Sequence, residues 1–257
     1  MKNILLTLVG LGIIGGAVVW FVMVRPTRAH AKNTFLVEET KSVTTEVRTE
    51  AHDVVETSVT LLQRGDELVV VPLTGDAAVE APGKILRVRL SEKRTAYDGD
   101  LKKARTKTRD MLNQMRDEAE VRPYTHTDLL GSMNLLIEEK KAGDLKGEVF
   151  TLVVLSDMIQ DTPNISFMTN PALANDEAAR KLAGKLVAGN AGTLAGAHVF
   201  LGQLRSEDLK SASMQRREAI RSFWIEYFRL AGATDVVFAR DGVGQLVDFM
   251  RRVKSVE

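Results

Sequence analysis

The stretch Asn33-Thr34-Phe35-Leu36-Val37-Glu38-Glu39-Thr40-Lys41-Ser42-Val43 decides the fold class. Its first half is a short apolar run with aromatic and β-branched residues, the composition of a strand buried on both faces. The run ends at Glu38, and two hydroxyls follow at alternate positions, Thr40 and Ser42. From Val43 to about Gln63 the period changes. Val43, Val47, Ala51, Val54, Val55, Ser58, Leu61 and Leu62 share one helical face. The stretch therefore reads as strand, tight turn, helix. Open α/β sheets built from this unit bind ligands at the carboxyl ends of their strands. Glu38, Thr40 and Ser42 crowd such an end, and oxygen donors of this kind suit a hard cation such as Mg²⁺.

Composition agrees with one large α/β domain. The chain has 257 residues, 44% hydrophobic and 27% charged, which supports a packed core and excludes disorder. A formal net charge of +1 gives no broad attraction to nucleic acid, so none is expected as a partner. The absence of cysteine excludes disulfides, thiol catalysis and cysteine metal sites. The four histidines do not pair at zinc-ligand spacing. No glycine-rich phosphate loop follows a strand; Gly242-Val243-Gly244 comes too late and after an edge element.

Residues 4–24 form an unbroken run of apolar or small residues, long enough at about 1.5 Å per residue to cross a hydrocarbon core of about 30 Å. Lys2 precedes it; Arg25, Arg28 and Lys32 follow. Ala29-His30-Ala31 mimics a signal-peptidase site, but the run exceeds the length of a signal-peptide core. An uncleaved anchor over residues 1–32 is expected, with the membrane as a partner through residues 4–24. The expected location is a bacterial inner membrane. A very short basic tail favours a body outside the cytoplasm, although the basic residues are too evenly divided to fix orientation. Gly12 and Gly16 have helix-pairing spacing, or simply reflect the glycine content of membrane helices.

Beyond the first helix the chain alternates strands and helices. Residues 67–73 read as a second strand. Residues 85–90 read as a charged edge strand that could close an antiparallel hairpin with it. Residues 91–100 read as a polar loop, and Leu101 to about Ala119 as an amphipathic helix. The basic run of that helix (Lys102, Lys103, Arg105, Lys107, Arg109) reads as a solvated face. Thr127 or Asp128 is placed to cap a helix running to about Lys141. Residues 148–155 are the strongest strand and end in Ser156-Asp157-Met158. Then follow a helix over 171–188, a strand over 197–202, a long helix over 207–231, a strand over 234–239 and a closing helix over 243–253.

Three of these motifs, in this order, resemble the von Willebrand factor A domain and its metal-ion-dependent adhesion site. Glu38-x-Thr40-x-Ser42 stands where the family has Asp-x-Ser-x-Ser after its first strand. Thr127-Asp128-Leu129-Leu130-Gly131-Ser132-Met133 is similar to the segment carrying the family's third hydroxyl. Thr127 is its counterpart, with Thr125 the alternative in a shifted register. Ser156-Asp157-Met158 matches the acid closing the family's fourth strand, with Met158 in place of a common glycine.

The resemblance covers residues 33–257 as one domain. It implies a doubly wound, mostly parallel sheet of about six strands, with one antiparallel edge strand and helices on both faces. It further implies that Thr40, Ser42 and Thr127 bind Mg²⁺ directly while Glu38 and Asp157 act through waters. Neutral hydroxyls under-neutralise the ion, so it accepts an acidic residue of another protein. Glu38 is one methylene longer than the family's aspartate, a difference of about 1.5 Å. The function implied is a membrane-anchored protein-binding module in the assembly or scaffolding of a complex, not an enzyme. The alternative is a metal-dependent hydrolase or phosphatase-like enzyme using Glu38 and Asp157, for which no nucleophile–base set is visible.

Overall fold

β1 (Ala31–Glu38) is buried along its whole length, which is why its sequence is a nearly continuous apolar run. The computed structural model describes residues 29–121, 124–240 and 243–255. The expected membrane segment over residues 4–24, Gly12, Gly16 and Gly242 lie outside them. Among the described residues no helix is long and apolar enough to cross a membrane.

After β1 come α1 (Thr45–Val59), β2 (Glu67–Leu73), the short α2 (Ala77–Glu80), a 3₁₀ turn (Pro82–Lys84), β3 (Leu86–Arg89) and the long α3 (Arg94–Val121). The second half holds α4 (Leu129–Asp144), β4 (Val149–Ser156) and a small hairpin of β5 (Asp161–Thr162) and β6 (Ile165–Ser166). It continues through α5 (Asp176–Leu186), β7 (His198–Gln203), α6 (Glu207–Ser211), α7 (Met214–Leu230), β8 (Asp235–Ala239) and α8 (Leu246–Ser255). The main sheet has six strands in the order β3-β2-β1-β4-β7-β8. β3 pairs antiparallel to β2, and the other neighbours are parallel. Strand number, antiparallel edge and helical layers match the expected architecture.

Alternation along the strands builds two cores. Phe35 and Val37 face α1, α3 and α8, together with Leu68, Val70, Val153 and Phe200. Leu36 faces the other way, toward α4, α5 and α7, with Val69, Val71, Leu152 and Val154. The second core is rich in aromatics: Phe167, Phe223, Trp224, Tyr227 and Phe228 pack ring against ring at centroid distances of 4.7–6.0 Å.

Three expectations need correction. Residues 94–100 are the start of α3 rather than loop, because Tyr97 and Leu101 extend the apolar stripe downward. The Tyr97 hydroxyl donates to the Leu62 carbonyl at 2.7 Å, pinning this first turn to the end of α1. The helix expected over 171–188 is a 3₁₀ turn (Pro171–Ala174) followed by α5, with Asn175 capping the Ala178 amide. The helix expected over 207–231 is divided because Ser213 caps α7 through the Arg216 amide. Asparagine and serine offer the backbone a local partner and so end one helix while starting the next. The β5–β6 hairpin was not expected, since two-residue strands leave no periodic signal.

Candidate metal and docking site

The sheet reverses its winding between β1 and β4: the chain leaves β1 toward β2 and leaves β4 toward β7. A crevice at the carboxyl ends of these strands is the switch point of an open α/β sheet. Glu38 closes β1 and Asp157 follows β4, and both are fully buried.

Side chains from three separate stretches meet there. The Thr40 hydroxyl donates to Glu38 Oε1. The Ser42 hydroxyl donates to the same oxygen at 3.1 Å, and the Thr127 hydroxyl at 3.2 Å. Thr40 Oγ1 lies 3.0 Å from Ser42 Oγ and 3.2 Å from Thr127 Oγ1. Glu38 Oε2 accepts the Asp157 amide at 2.9 Å. The cluster thus unites all five residues singled out in the sequence. Thr125 is exposed, which leaves Thr127 as the threonine of the cluster.

Backbone contacts hold these groups in place. Arg48, on α1, donates from one Nη2 to the carbonyls of Thr40 and Val43 at 3.1 Å each, closing the β1–α1 turn. The Lys41 amide donates to the Tyr124 carbonyl at 3.0 Å, joining that turn to the segment carrying Thr127. Thr127 exchanges two backbone hydrogen bonds with Asp161, both at 2.9 Å. Asp128, not Thr127, caps α4, accepting the Gly131 amide at 2.9 Å. The Thr127 hydroxyl is therefore committed to the cluster rather than to a helix end.

Gly131 is required by this cap. A Cβ at position 131 would fall 1.9 Å from the Asp128 carboxylate. Gly131→Ala should displace the cap and lower stability by about 0.5–2 kcal/mol despite alanine's better helix propensity. Thermal unfolding of the variant beside the wild type checks this.

The loop after β4 is strained. Met158 has φ 66°, the left-handed region, where a glycine would be at ease. Its side chain is buried in the aromatic core, and its carbonyl accepts the Trp224 indole N–H at 2.8 Å. This packing offsets the backbone cost and explains why methionine is tolerated.

Charge in the cluster is under-compensated. Burial first, and then the charge of Glu38, hold the Asp157 carboxyl well above the ordinary carboxylate range. The Ile159 amide and the hydroxyls of Ser206 and Ser42 oppose this only in part. Asp157 Oδ2 is buried without a hydrogen-bond partner of good geometry.

Neutral hydroxyls beside two acids are the kind of donor set that a small, hard divalent ion takes. Ligands about 2.1 Å from an octahedral ion stand roughly 3.0 Å from one another; the hydroxyl oxygens are 3.0 and 3.2 Å apart. The hydroxyl protons are shared between Glu38 Oε1 and the neighbouring hydroxyl oxygens. The extra methylene of Glu38 carries its carboxylate in among the hydroxyls. Among the described residues no three His, Cys, Asp or Glu side chains gather as a metal-holding group, so an ion here depends on the neutral hydroxyls.

Sequence reasoning missed the supports. Glu39 is buried beside Glu38 and lies 2.6 Å from His52 Nε2, with Arg48 Nε at 3.5 Å. Burial raises the Glu39 pKa, and His52 and Arg48 work against that shift. Arg48 and His52 are four apart on the buried face of α1, a polar pair on an apolar stripe, and that spacing was the available signal. Gln160 had none: its Oε1 accepts the Leu130 amide at 2.9 Å and its Nε2 donates to Asp128 at 3.2 Å.

No family model matches the sequence, and no curated protein matches it. Several solved structures are similar in shape. A von Willebrand factor type A protein from Catenulispora acidiphila is 11% identical with a TM-score of 0.45, over 88% of this chain and 42% of that one. Manganese-loaded TRAP protein of Plasmodium vivax is 10% identical with a TM-score of 0.43, over 87% and 72%. The pilus adhesin SpaC of Lactobacillus rhamnosus GG is 10% identical with a TM-score of 0.46, over 90% and 30%. The chain thus spans less than half the length of the first and third. Likenesses this distant assign no activity to the chain.

Proposed function

We propose that the chain is a von Willebrand A-like protein-interaction module, tethered to a bilayer by residues 4–24, that docks an acidic group of a partner protein at the carboxyl edge of its sheet. The observation that carries this reading is the convergence of Glu38, Thr40, Ser42, Thr127 and Asp157 at the β1/β4 switch point. In this reading Thr40, Ser42 and Thr127 would hold Mg²⁺ or Mn²⁺ directly, while Glu38 and Asp157 would act through waters. When bound, the ion supplies a positive charge for an anionic partner group. Lys41, exposed on the same turn, adds to that attraction. The tether is read as lying in a bacterial inner membrane, with the body outside the cytoplasm.

The hydrolase reading is weaker. Glu38 and Asp157 have no exposed surface. A cavity of about 880 Å³ between α2 and α3 is lined by Glu80, Lys84, Glu118 and Tyr124 among others, and neither Glu38 nor Asp157 reaches it.

The test is affinity capture from solubilised membranes with the full chain, in Mg²⁺ and in EDTA. A partner retained in Mg²⁺, released by EDTA and absent with the Ser42→Ala/Thr127→Ala double variant supports the reading. An identical set of proteins on wild type and double variant would sink it.

A further inference from the structure

We propose that the groove between α2 and α3 is a docking site for a basic amphipathic helix of a partner protein. It goes beyond the docking of an acidic group at the Glu38–Asp157 cluster and depends neither on a metal ion nor on the tether.

The cavity of about 880 Å³ is the wide part of this groove. A second cavity of about 230 Å³ shares Lys84, Gln114 and Glu118 with it and continues along α3 to Met111. From Met111 to Val121 the helix rises about 15 Å. One wall is thus a straight helix face, against which a second helix packs by ridges into grooves. The narrow part is floored by Ile85, Leu86, Met111 and Met115, all buried or half-buried. Unbranched thioethers adapt to apolar side chains of several shapes. At the wide end Val121 is 83% exposed, and Val79, beside Glu80, is 76% exposed.

Charge sets the sign of the occupant. The wide part is lined by Glu80, Asp110, Asp117 and Glu118 against one cation, Lys84. Lys84 engages Glu118 at 2.5 Å, and Asp117 lies 3.6 Å from Arg116, which is outside the lining. Among the described residues the Glu80 carboxylate accepts only the Asp76 amide, at 3.3 Å, and Asp110 has no ion-pair partner. Asn113 and Gln114, exposed on α3 between Asp110 and Asp117, are neutral. The groove also follows the last turns of α3, the negative end of its dipole. Anionic lipid is repelled by such walls, and a cationic helix is attracted.

Lys84 shows what these walls hold. Its ammonium meets Glu118, the Tyr124 hydroxyl at 2.9 Å and the Tyr124 ring at 5.7 Å from the centroid. The hydrogen bonds to Glu118 and Tyr124 raise the Lys84 pKa. Tyr124 also joins the groove to the carboxyl edge of the sheet, since its carbonyl accepts the Lys41 amide at 3.0 Å. A helix in the groove therefore lies against the segment that carries Thr127.

The chain has no cysteine, so a fluorophore on Asn113→Cys reports from the groove alone. One on Leu145→Cys, 90% exposed past the end of α4, is the control. The probe is a synthetic peptide of about 14 residues with leucine at helical i, i+3, i+4 and i+7 spacing and lysine elsewhere. It is added to the full-length chain in nonionic detergent. A saturable shift at position 113 with none at 145 is expected, and none at either with glutamate in place of lysine. Glu80→Gln/Asp110→Asn should weaken binding about ten-fold at unchanged Tm, and added salt should weaken it too. EDTA and Ser42→Ala/Thr127→Ala should leave it unchanged, which separates failure of this groove from failure of the cluster reading.

A glutamate peptide that binds as well, equal shifts at both positions, no saturable shift, or a Glu80→Gln/Asp110→Asn variant that binds like wild type overturns the proposal. Spermine that reproduces the full shift marks a small polyamine site and overturns it. Binding seen only in Arg122→Ala, at a position outside the described residues, marks a groove filled by the chain itself and overturns it. A shift without peptide that grows with protein concentration marks a second copy of the chain, with the same consequence.

Discussion

Glu139→Ala is expected to destabilise the fold by about 3–5 kcal/mol, because it strands a buried ammonium. Lys32 lies in β1 and is 2% exposed, a burial that a lysine tolerates only when paired. Its Nζ lies 2.6 Å from Glu139 Oε2, and Glu139 itself is 6% exposed. Arg87, on the edge strand β3, reaches the other oxygen, with its Nε donating at 3.0 Å. The group thus ties a central strand, an edge strand and α4 together at the amino end of the sheet. Removing the carboxylate leaves Lys32 without its counter-charge. The double variant Lys32→Met/Glu139→Leu should recover most of the loss, since apolar replacement of a buried pair is often neutral or stabilising.

Denaturant unfolding of wild type, single and double variants makes the comparison. A single variant as stable as wild type would show that water reaches Lys32. The same pair sets a pH dependence. Burial pushes the Glu139 carboxyl up, but the ion pairs with Lys32 and Arg87 outweigh it and hold the pKa below its ordinary 4.5. A depressed carboxyl stabilises the folded state above its unfolded value and loses that contribution as pH falls through the folded value. The loss should therefore appear below about pH 4.5 in wild type and be weaker in the double variant.

Trp224→Ala should cost about 3–5 kcal/mol through the cavity it leaves. Trp224 is 1% exposed and touches Phe167, Phe223, Tyr227 and Phe228. Its indole N–H also satisfies the Met158 carbonyl, next to Asp157. Trp224→Phe isolates that bond: it keeps an aromatic ring but leaves a buried carbonyl unpaired, at about 1–3 kcal/mol. Unfolding midpoints and near-ultraviolet circular dichroism read both losses. Because Met158 holds a left-handed φ, a freed carbonyl should let the loop after β4 relax. Any thermal shift produced by Mn²⁺ in wild type should then shrink in Trp224→Phe. A phenylalanine variant as stable as wild type would sink the assigned role of the indole hydrogen bond.

Much of this was legible in the sequence. The apolar runs 33–38, 67–73 and 148–155 marked β1, β2 and β4 because strands buried on both faces need side chains of one kind. Alternating arginines in Leu86–Arg89 marked the edge strand for the opposite reason. Helix interruptions were not legible. Asn175 and Ser213 sit within patterns that remain helical in period on both sides, and only the local hydrogen bonds to Ala178 and Arg216 reveal the break.

The sequence by itself determined the class of sheet and its helical layers, because periodicity is a local property; Glu38, Thr40, Ser42, Thr127 and Asp157 were drawn together only by what the family resemblance implied. Tertiary structure decided that Thr127 rather than Thr125 joins Glu38, that Asp128 caps α4, and that Asp157 meets Glu38 through its amide. It also decided which charges are buried in pairs, as with Lys32 and Glu139, which are 107 positions apart (139 − 32). Contacts at such separation depend on strand order and register, and a linear pattern carries no record of either.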